Sequence, residues 1–514
     1  MKRFIEIIIL TIIILTLSIL LGPLSKMKYD NLVIDEDTWN NIISDRIYTK
    51  VSFINNLKFN NYDLILDGDT YYYSVTSYKP KIDYKSNYDV KVAFKNYIND
   101  ELIKNNESLE MLIYTNNEYN IINIKCTTLP ILSITYEDEI TKEEYINMKI
   151  SLFDNSKGLV DRLISSDGLI RYKGASTMVY PKKGYRINLR KDGNPNHISL
   201  LGLRKDDDYI LYAAYNDPEK IRNVFSSKLW YETRYDNIFN LSNGMEYKYV
   251  ELFINNEYNG LYALGYPIDN KTLNIRDNEY MFKKTTWDNS ESTVIYDNDM
   301  LGYVLQDNSD EYSYIYLKEY YKKLLYGNAI DTIYSISDIN NAIDMFLFNN
   351  LVQARDNGNK YSLKNIYISF KNYNGNLVSI YTPWDLDLTF GNTSSLDNNL
   401  TSIYELTPDV NIIMKINPAY ILKRLGDNYI NKLIYERYTY LRNTVWSNNN
   451  IKKILSGYEN DIFLSGAYLR DKETWPDGNY TNNYNLKEFT NYVILRLKYM
   501  DEYIENEIGY SKRK

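Results

Sequence analysis

Asp356-Asn357-Gly358-Asn359-Lys360-Tyr361-Ser362-Leu363-Lys364-Asn365, followed after two apolar runs by Pro383-Trp384-Asp385-Leu386-Asp387, is the stretch on which this chain turns. Ile366 to Phe370 and Leu377 to Tyr381 alternate as strands do, and Asn374-Gly375 between them is a type I′ turn signal. With those two residues as the loop, position 373 pairs with 376 and Asn365 falls opposite Trp384. Upstream, Ile339, Ile343, Leu347 and Leu351 form the stripe of a buried helix, which Ser337 or Asp338 can cap. That helix delivers Asp356 to the point where the hairpin brings Asn365 and Asp385.

An aspartate, an asparagine and a second aspartate so placed suit phosphoryl transfer. One carboxylate orients the attacking hydroxyl, while a carboxamide and another carboxylate hold magnesium on nucleotide phosphates. Such chemistry is positional and electrostatic, so oxygen ligands suffice. Taken singly, Asp-x-Asp is more often a solvated turn, and Asp356-Asn357-Gly358-Asn359 is simply a good loop. Their convergence is what favours the functional reading.

With 514 residues the chain has room for two or three domains. Its 55 tyrosines, with many Asn and Ile, resemble the bias of an AT-rich genome, so Asn-rich turns count for less. A net charge of −8 without a long basic tract argues against nucleic acid as a partner. A single histidine, His197, and a single cysteine, Cys126, exclude a Cys/His zinc site, a disulfide framework and a two-histidine metal centre. A Ser-His-Asp triad would have to use His197, in the turn-like Asn194-Pro195-Asn196-His197. Cys126 ends an apolar strand and reads as a buried small hydrophobe.

The N-terminus differs in kind. Lys2 and Arg3 precede the uncharged run Ile7 to Leu21, a signal-peptide core or a short membrane anchor within residues 1–28. Gly22-Pro23-Leu24-Ser25 is a poor cleavage site, which favours an uncleaved anchor with the bulk outside. The expected location is membrane-anchored or secreted, extracytoplasmic; Lys26 and Lys28 partly balance Lys2 and Arg3 and leave orientation open.

Residues 29–126 read as short strands, with hairpin turns at Asp67-Gly68 and Asn116-Asn117, and predict a small β-sandwich of immunoglobulin-like type. From residue 127 the pattern is mixed, giving an α+β chain overall. Strands Leu169 to Lys173 and Tyr185 to Leu189 flank Gly174-Ala175-Ser176-Thr177 and Pro181-Lys182-Lys183. A glycine and hydroxyls in such a loop can lie over phosphates, with a lysine as a point charge, although alone the motif is a common turn. Asn216-Asp217-Pro218-Glu219 predicts a helix start, with Asp217 as cap, Pro218 first in the helix, and Ile221, Phe225 and Leu229 on its buried face. Tyr249 to Ile254 and Gly260 to Leu264 flank Asn255-Asn256-Glu257 as a further hairpin. After Asp387 the chain reads as helical, including Tyr429 to Trp446 and Leu486 to Glu505, with an Asn-rich loop at 392–400 at the mouth of the site.

An ordered series of blocks, from about residue 127 to 506, resembles the spore coat protein H (CotH) kinase family. It comprises Leu129 to Ile134 with Tyr145 to Phe153, Arg171 to Thr177 with Pro181 to Arg186, and Asp208 to Leu211 through Asn216-Asp217 to Asn223. It continues with Tyr249 to Leu252, Tyr258 to Tyr262, Asn365, Pro383 to Asp387, Arg470-Asp471, Trp475-Pro476 and Arg496. The resemblance implies an atypical protein-kinase-like two-lobe domain over 127–510 with a helical C-terminal part. It implies transfer of the γ-phosphoryl group of ATP, with Mg²⁺ or Mn²⁺, to serine or threonine hydroxyls of a coat or envelope protein. By motif, Asp356 is the implied catalytic aspartate, Asn365 and Asp385 metal ligands, and Asp387 a secondary one. Gly174, Ser176 and Lys182 are implied to bind ATP, with Lys182 preferred to Lys183 and Glu219 or Glu232 as its partner. Two departures stand out: Lys173-Gly174-Ala175 where the family more often has Arg-Gly-Asn, and Gly265-Tyr266-Pro267 where it has an acidic residue. The alternative is a catalytically silent coat or envelope protein on the same fold.

Overall fold

In a computed structural model of the chain the hairpin folds in the register its turn dictates. Ile366–Tyr373 pairs with Asn376–Pro383 so that Tyr373 faces Asn376 and Ile366 faces Pro383. Asn374 and Gly375 have φ of 52° and 87°, as a type I′ turn requires. The structure describes residues 25–158, 161–233, 237–241, 243–286, 302–307, 312–354, 356–357, 364–392 and 415–508. The apolar run at 7–21 and the Asn-rich residues 393–400 lie outside these. Among the described residues no helix is long and apolar enough to cross a membrane.

Tyr280–Lys284 and Tyr303–Asp307 extend the hairpin into a four-stranded sheet. The helix Ile339–Val352 packs on it, capped by Asp338, whose side chain accepts from Asn341 N at 3.0 Å. Between Asn341 and Val352 this helix is buried on every side, beyond the single stripe its spacing predicts. The helices Pro418–Arg424, Asn428–Asn443 and Lys487–Tyr503 cover the faces the hairpin leaves. The buried polar side chains of Ile339–Val352 are bonded, Asn341 to Tyr381, Asp344 to Arg437 and Asn350 to Phe346 O.

A second, eight-stranded sheet carries the phosphate-loop candidate. Its long strand Leu163–Lys173 pairs both with Ile146–Phe153 and with Gly184–Lys191. All of its strands except the two-residue Asn194–Pro195 therefore lie in a closed ring. Within it, Tyr247–Ile254 and Glu257–Gly265 form the expected hairpin, but its loop is only Asn255-Asn256, because Glu257 already pairs with Ile254. One continuous apolar core runs beneath both sheets from Leu129 to Ile508.

At the N-terminus two further sheets share one core, with Phe59, Ile82 and Tyr84 from one facing Phe94, Met111, Ile124 and Cys126 from the other. Asn116-Asn117 joins its strands as expected, whereas the first hairpin turns one residue later, at Gly68-Asp69, because Asp67 already pairs with Thr70. Ser25–Lys28, grouped with the apolar segment by sequence, is a strand on the edge of the first sheet. Two helices that the strand pattern does not predict, Glu36–Ser44 and Asp100–Lys104, flank these sheets. Cys126 is buried, and desolvation pushes its thiol up to about 12, so it is an inert hydrophobe.

One helix boundary differs from expectation. The helix begins at Arg222, not Pro218. Asp217 still caps it, but through Arg222 N (2.6 Å), while its other oxygen pairs with the Arg222 side chain (2.5 Å). Residues 218–221 are left as a turn in which Lys220 adopts φ 60°.

Candidate active site

The ends of the hairpin strands, the Gly174–Gly184 loop and the segment Leu211–Asn216 enclose a cavity of about 270 Å³. Gly174, Ser176, Lys182, Asn365, Asp385 and Asp387 all line it. Asp356 adjoins it, its Oδ2 accepting from Asn365 Nδ2 at 3.4 Å. Residues as far apart in the chain as Gly174 and Asp387 thus meet at one place.

The hairpin explains the acidic half. Asn365 N donates to Lys284 O (3.0 Å) and Trp384 N to Asn365 O (2.9 Å), which fixes the two strand ends side by side. Asn365 and Asp385 both take left-handed backbone, φ 55° and 58°, which turns the chain out of the sheet. Asn and Asp tolerate that region better than other side chains. Asn357, which by sequence is only a loop residue, is the tie between them. Buried, it donates through Nδ2 to the carbonyls of Asn365 and Trp384, each at 2.7 Å.

The carboxylate of Asp385 accepts no hydrogen bond among the described residues. Burial, with the charges of Asp385 and Asp356, pushes the Asp387 carboxyl well above the usual carboxylate range. Its Oδ2 takes a long bond from Asn216 Nδ2 at 3.5 Å. Nearby, the buried Tyr212 hydroxyl has no hydrogen-bond partner among the described residues. Burial and the carboxylates of Asp387, Asp217 and Asp385 hold that phenol well above its ordinary value.

Two cations that the sequence does not single out as ligands face this cluster. The ammonium groups of Lys173 and Lys283 stand 5.1 and 5.3 Å from the centre of the Trp384 ring. Neither makes a hydrogen bond or ion pair among the described residues. Burial lowers both, and with the neighbouring Lys173 charge it brings Lys283 down to about 8, while Asp385 opposes the shift in each. Lys283 sits in a strand without a motif. It is the one residue of that strand that is only partly buried, beside a second lysine, Lys284, that is buried.

Lys182, by contrast, is fully committed. Its Nζ donates to Asp471 Oδ1 (2.6 Å) and Leu261 O (2.7 Å) and lies 4.6 Å from the Tyr262 ring centre. Asp471 also accepts from Leu261 N and from the Tyr480 hydroxyl, both at 2.9 Å. The expected partners are engaged elsewhere: Glu219 with Arg222 (2.5 Å) and Glu232 with Lys228 (3.1 Å). The delayed helix start is the reason, since it leaves Glu219 in the turn that faces Arg222. Lys183 folds back onto its own loop, donating to Met178 O at 2.7 Å.

Two glycines shape the site. At Gly174, φ 144°, a Cβ would meet Thr177 Oγ1 at 2.3 Å. At Gly260, φ 113°, it would meet Asp471 Oδ1 at 2.4 Å and Lys182 Cε at 3.3 Å. Gly260→Ala is expected to cost about 2–4 kcal/mol of stability, from strained backbone and a displaced buried ion pair. A urea midpoint equal to that of the wild type would refute this.

Behind Lys182, the buried Lys220 donates to Asn479 O (2.8 Å) and Tyr215 O (3.3 Å) and lies 4.0 Å from the Tyr480 ring centre. Burial pushes its ammonium down to about 7, with Asp471 opposing and Lys182 reinforcing the shift. An unfolded lysine titrates near 10.4, so above pH ~7 the unfolded chain binds the extra proton and stability from this group rises with pH. Lys220→Met should therefore stabilise the protein most below pH 7, its advantage shrinking by up to ~1.4 kcal/mol per pH unit towards pH 9. Urea denaturation of both proteins at pH 6 and 9 measures this, and a pH-independent difference would contradict it.

A family model described as CotH kinase protein matches residues 170–500, a span that contains every residue lining the cavity. No curated protein matches the chain.

Proposed function

The chain belongs to the CotH kinase protein family, and on that footing we propose that it transfers the γ-phosphoryl group of ATP to serine or threonine hydroxyls of a protein, on an atypical kinase-like two-lobe scaffold. What carries the proposal is one cavity lined both by uncommitted lysine ammonium groups and by carboxylate and carboxamide oxygens. Polyphosphate needs the first, and the hard cation that accompanies it needs the second.

The donor set fits such a cation. Asp385, Asp387 and Asn365 offer only oxygen, the Asp385 carboxylate has no competing hydrogen bond among the described residues, and positive charge would relieve the crowding that raises Asp387. These three residues would hold magnesium or manganese. When bound, the ion neutralises phosphate charge that develops during transfer. Lys173 and Lys283 bind the β- and γ-phosphate oxygens, held ready by the Trp384 ring. The loop Gly174 to Thr177 covers the phosphates with its backbone and the Ser176 hydroxyl. Lys182, fixed by Asp471, is the standing charge at the back of the cavity. Asp356 orients the acceptor hydroxyl and receives its proton, steadied by Asn365. The acceptor is a coat or envelope protein, reached from a membrane-anchored or secreted position that the N-terminal apolar run suggests.

The test is transfer of label from γ-labelled ATP to a generic acceptor by the full chain, with Mg²⁺ or Mn²⁺. Changing both Lys173 and Lys283 to Met should raise KM for ATP by roughly 10²–10⁴-fold, about one charge-assisted hydrogen bond for each lysine. An unchanged KM would remove the phosphate assignment. No transfer and no thermal shift with ATP and metal would instead favour a silent envelope scaffold.

A further inference from the structure

The position of Lys182 depends on two neighbours, the Leu261 carbonyl and the Asp471 carboxylate, and both stand on elements seated against the N-terminal sheets. On the strand Glu257–Gly265, Tyr258 N donates to Asp67 Oδ2 at 3.2 Å. The Tyr258 ring stacks on Tyr72, centroids 5.6 Å apart and planes within 10°. On the helix Ala467–Thr474, Arg470 Nη1 donates to Asn106 Oδ1 at 3.0 Å, and Asn106 Nδ2 donates to Glu473 Oε2 at 2.9 Å. The remaining donors of the buried Arg470 go to Cys126 O at 3.4 Å, to Glu251 and to Ser465 O, so its guanidinium has no freedom to swing. Arg470 and Asp471 are adjacent on this helix. One reaches into the N-terminal unit while the other holds the lysine of the cavity.

We propose that the N-terminal β unit, residues 29–126, is a positioning element of the nucleotide site, which sets the Lys182 ammonium through Asn106 and Asp67 by way of Asp471 and Leu261. A buried ion pair keeps its value only in good geometry, because desolvation is not offset once the partners separate. The unit is then no passive spacer, and loosening its seat changes how the cavity holds phosphate before it changes the chemical step.

The inference rests on Lys182 belonging to the nucleotide site, so its test needs a readout apart from activity. Asn106 has φ 56°, so Asn106→Gly removes the carboxamide without straining the backbone. In the full chain this variant should raise KM for ATP roughly five-fold or more, for two lost hydrogen bonds to charged groups, with kcat within about two-fold. Amide exchange at Leu261, whose N–H is held by Asp471, should quicken in the same variant. Glu473→Ala, on the other side of the contact, should move both readouts in the same direction, and Glu473→Gln, which keeps the acceptor, neither. A fall in kcat at unchanged KM would mark a merely structural role and overturn the proposal, as would wild-type exchange at Leu261. If the wild-type chain transfers no phosphate, the proposed function falls. Leu261 exchange then still decides the coupling: faster in the variant upholds it, unchanged overturns it.

Discussion

Asp385→Asn is expected to remove metal-dependent nucleotide binding while leaving the fold intact. Asparagine keeps the size of the side chain and tolerates the left-handed φ of 58° at this position, so the backbone is not disturbed. The Asp385 carboxylate accepts no hydrogen bond among the described residues, so what folding loses with its charge is the attraction to Lys173 and Lys283. Removing its charge also relieves its repulsion of the buried Asp387, which offsets that loss, and the melting temperature should stay close to that of the wild type. Affinity for ATP in the presence of Mg²⁺ should fall by about 100-fold or more, the several kcal/mol a directly bound divalent ion contributes. Titration calorimetry with and without metal separates the terms. Metal-free ATP, held by lysines, should bind the two proteins alike, and wild-type affinity with Mg²⁺ in the variant would sink the ligand assignment.

Asp356→Asn should act on a different quantity. Its backbone carbonyl accepts from Lys364 N at 2.8 Å, a contact the substitution leaves in place. Its side chain loses the charge that orients and deprotonates the acceptor hydroxyl. We expect kcat to fall by about 10²–10⁴, the range for a general base, with KM for ATP nearly unchanged. Steady-state transfer assays read this directly. A kcat within ten-fold of wild type would assign the acceptor proton elsewhere. Together the two variants dissociate binding from transfer, a separation that a silent scaffold could not show.

The acidic half of the site is legible in the sequence because it is local. A two-residue loop at Asn374-Gly375 admits one register, and that register brings Asn365 to Trp384 and Asp385 whatever surrounds them. The helix cap is narrowed to Ser337 or Asp338 for the same reason, and the structure selects Asp338. Family membership is also legible, since ordered blocks of residues survive where overall similarity does not, and residues 170–500 match. The helix start is misplaced by sequence because Asp217 caps from five residues before the first helical position, through a side chain that also binds Arg222.

Which charges are taken up and which are left to a ligand is not legible. Lys182 is held by Asp471, 289 residues away, and nothing in its own neighbourhood distinguishes it from Lys173 or Lys283. Sequence alone determined the hairpin and its register, which follow from turn chemistry and the period of the backbone, and, through its ordered blocks, the family. Only the tertiary structure decided that, of the lysines lining the cavity, Lys182 is held in an ion pair while Lys173 and Lys283 have none among the described residues, and that Asn106 of the N-terminal unit bonds the helix that carries Asp471. Charge interactions act through space and depend on burial, so their partners are fixed by packing and not by order along the chain.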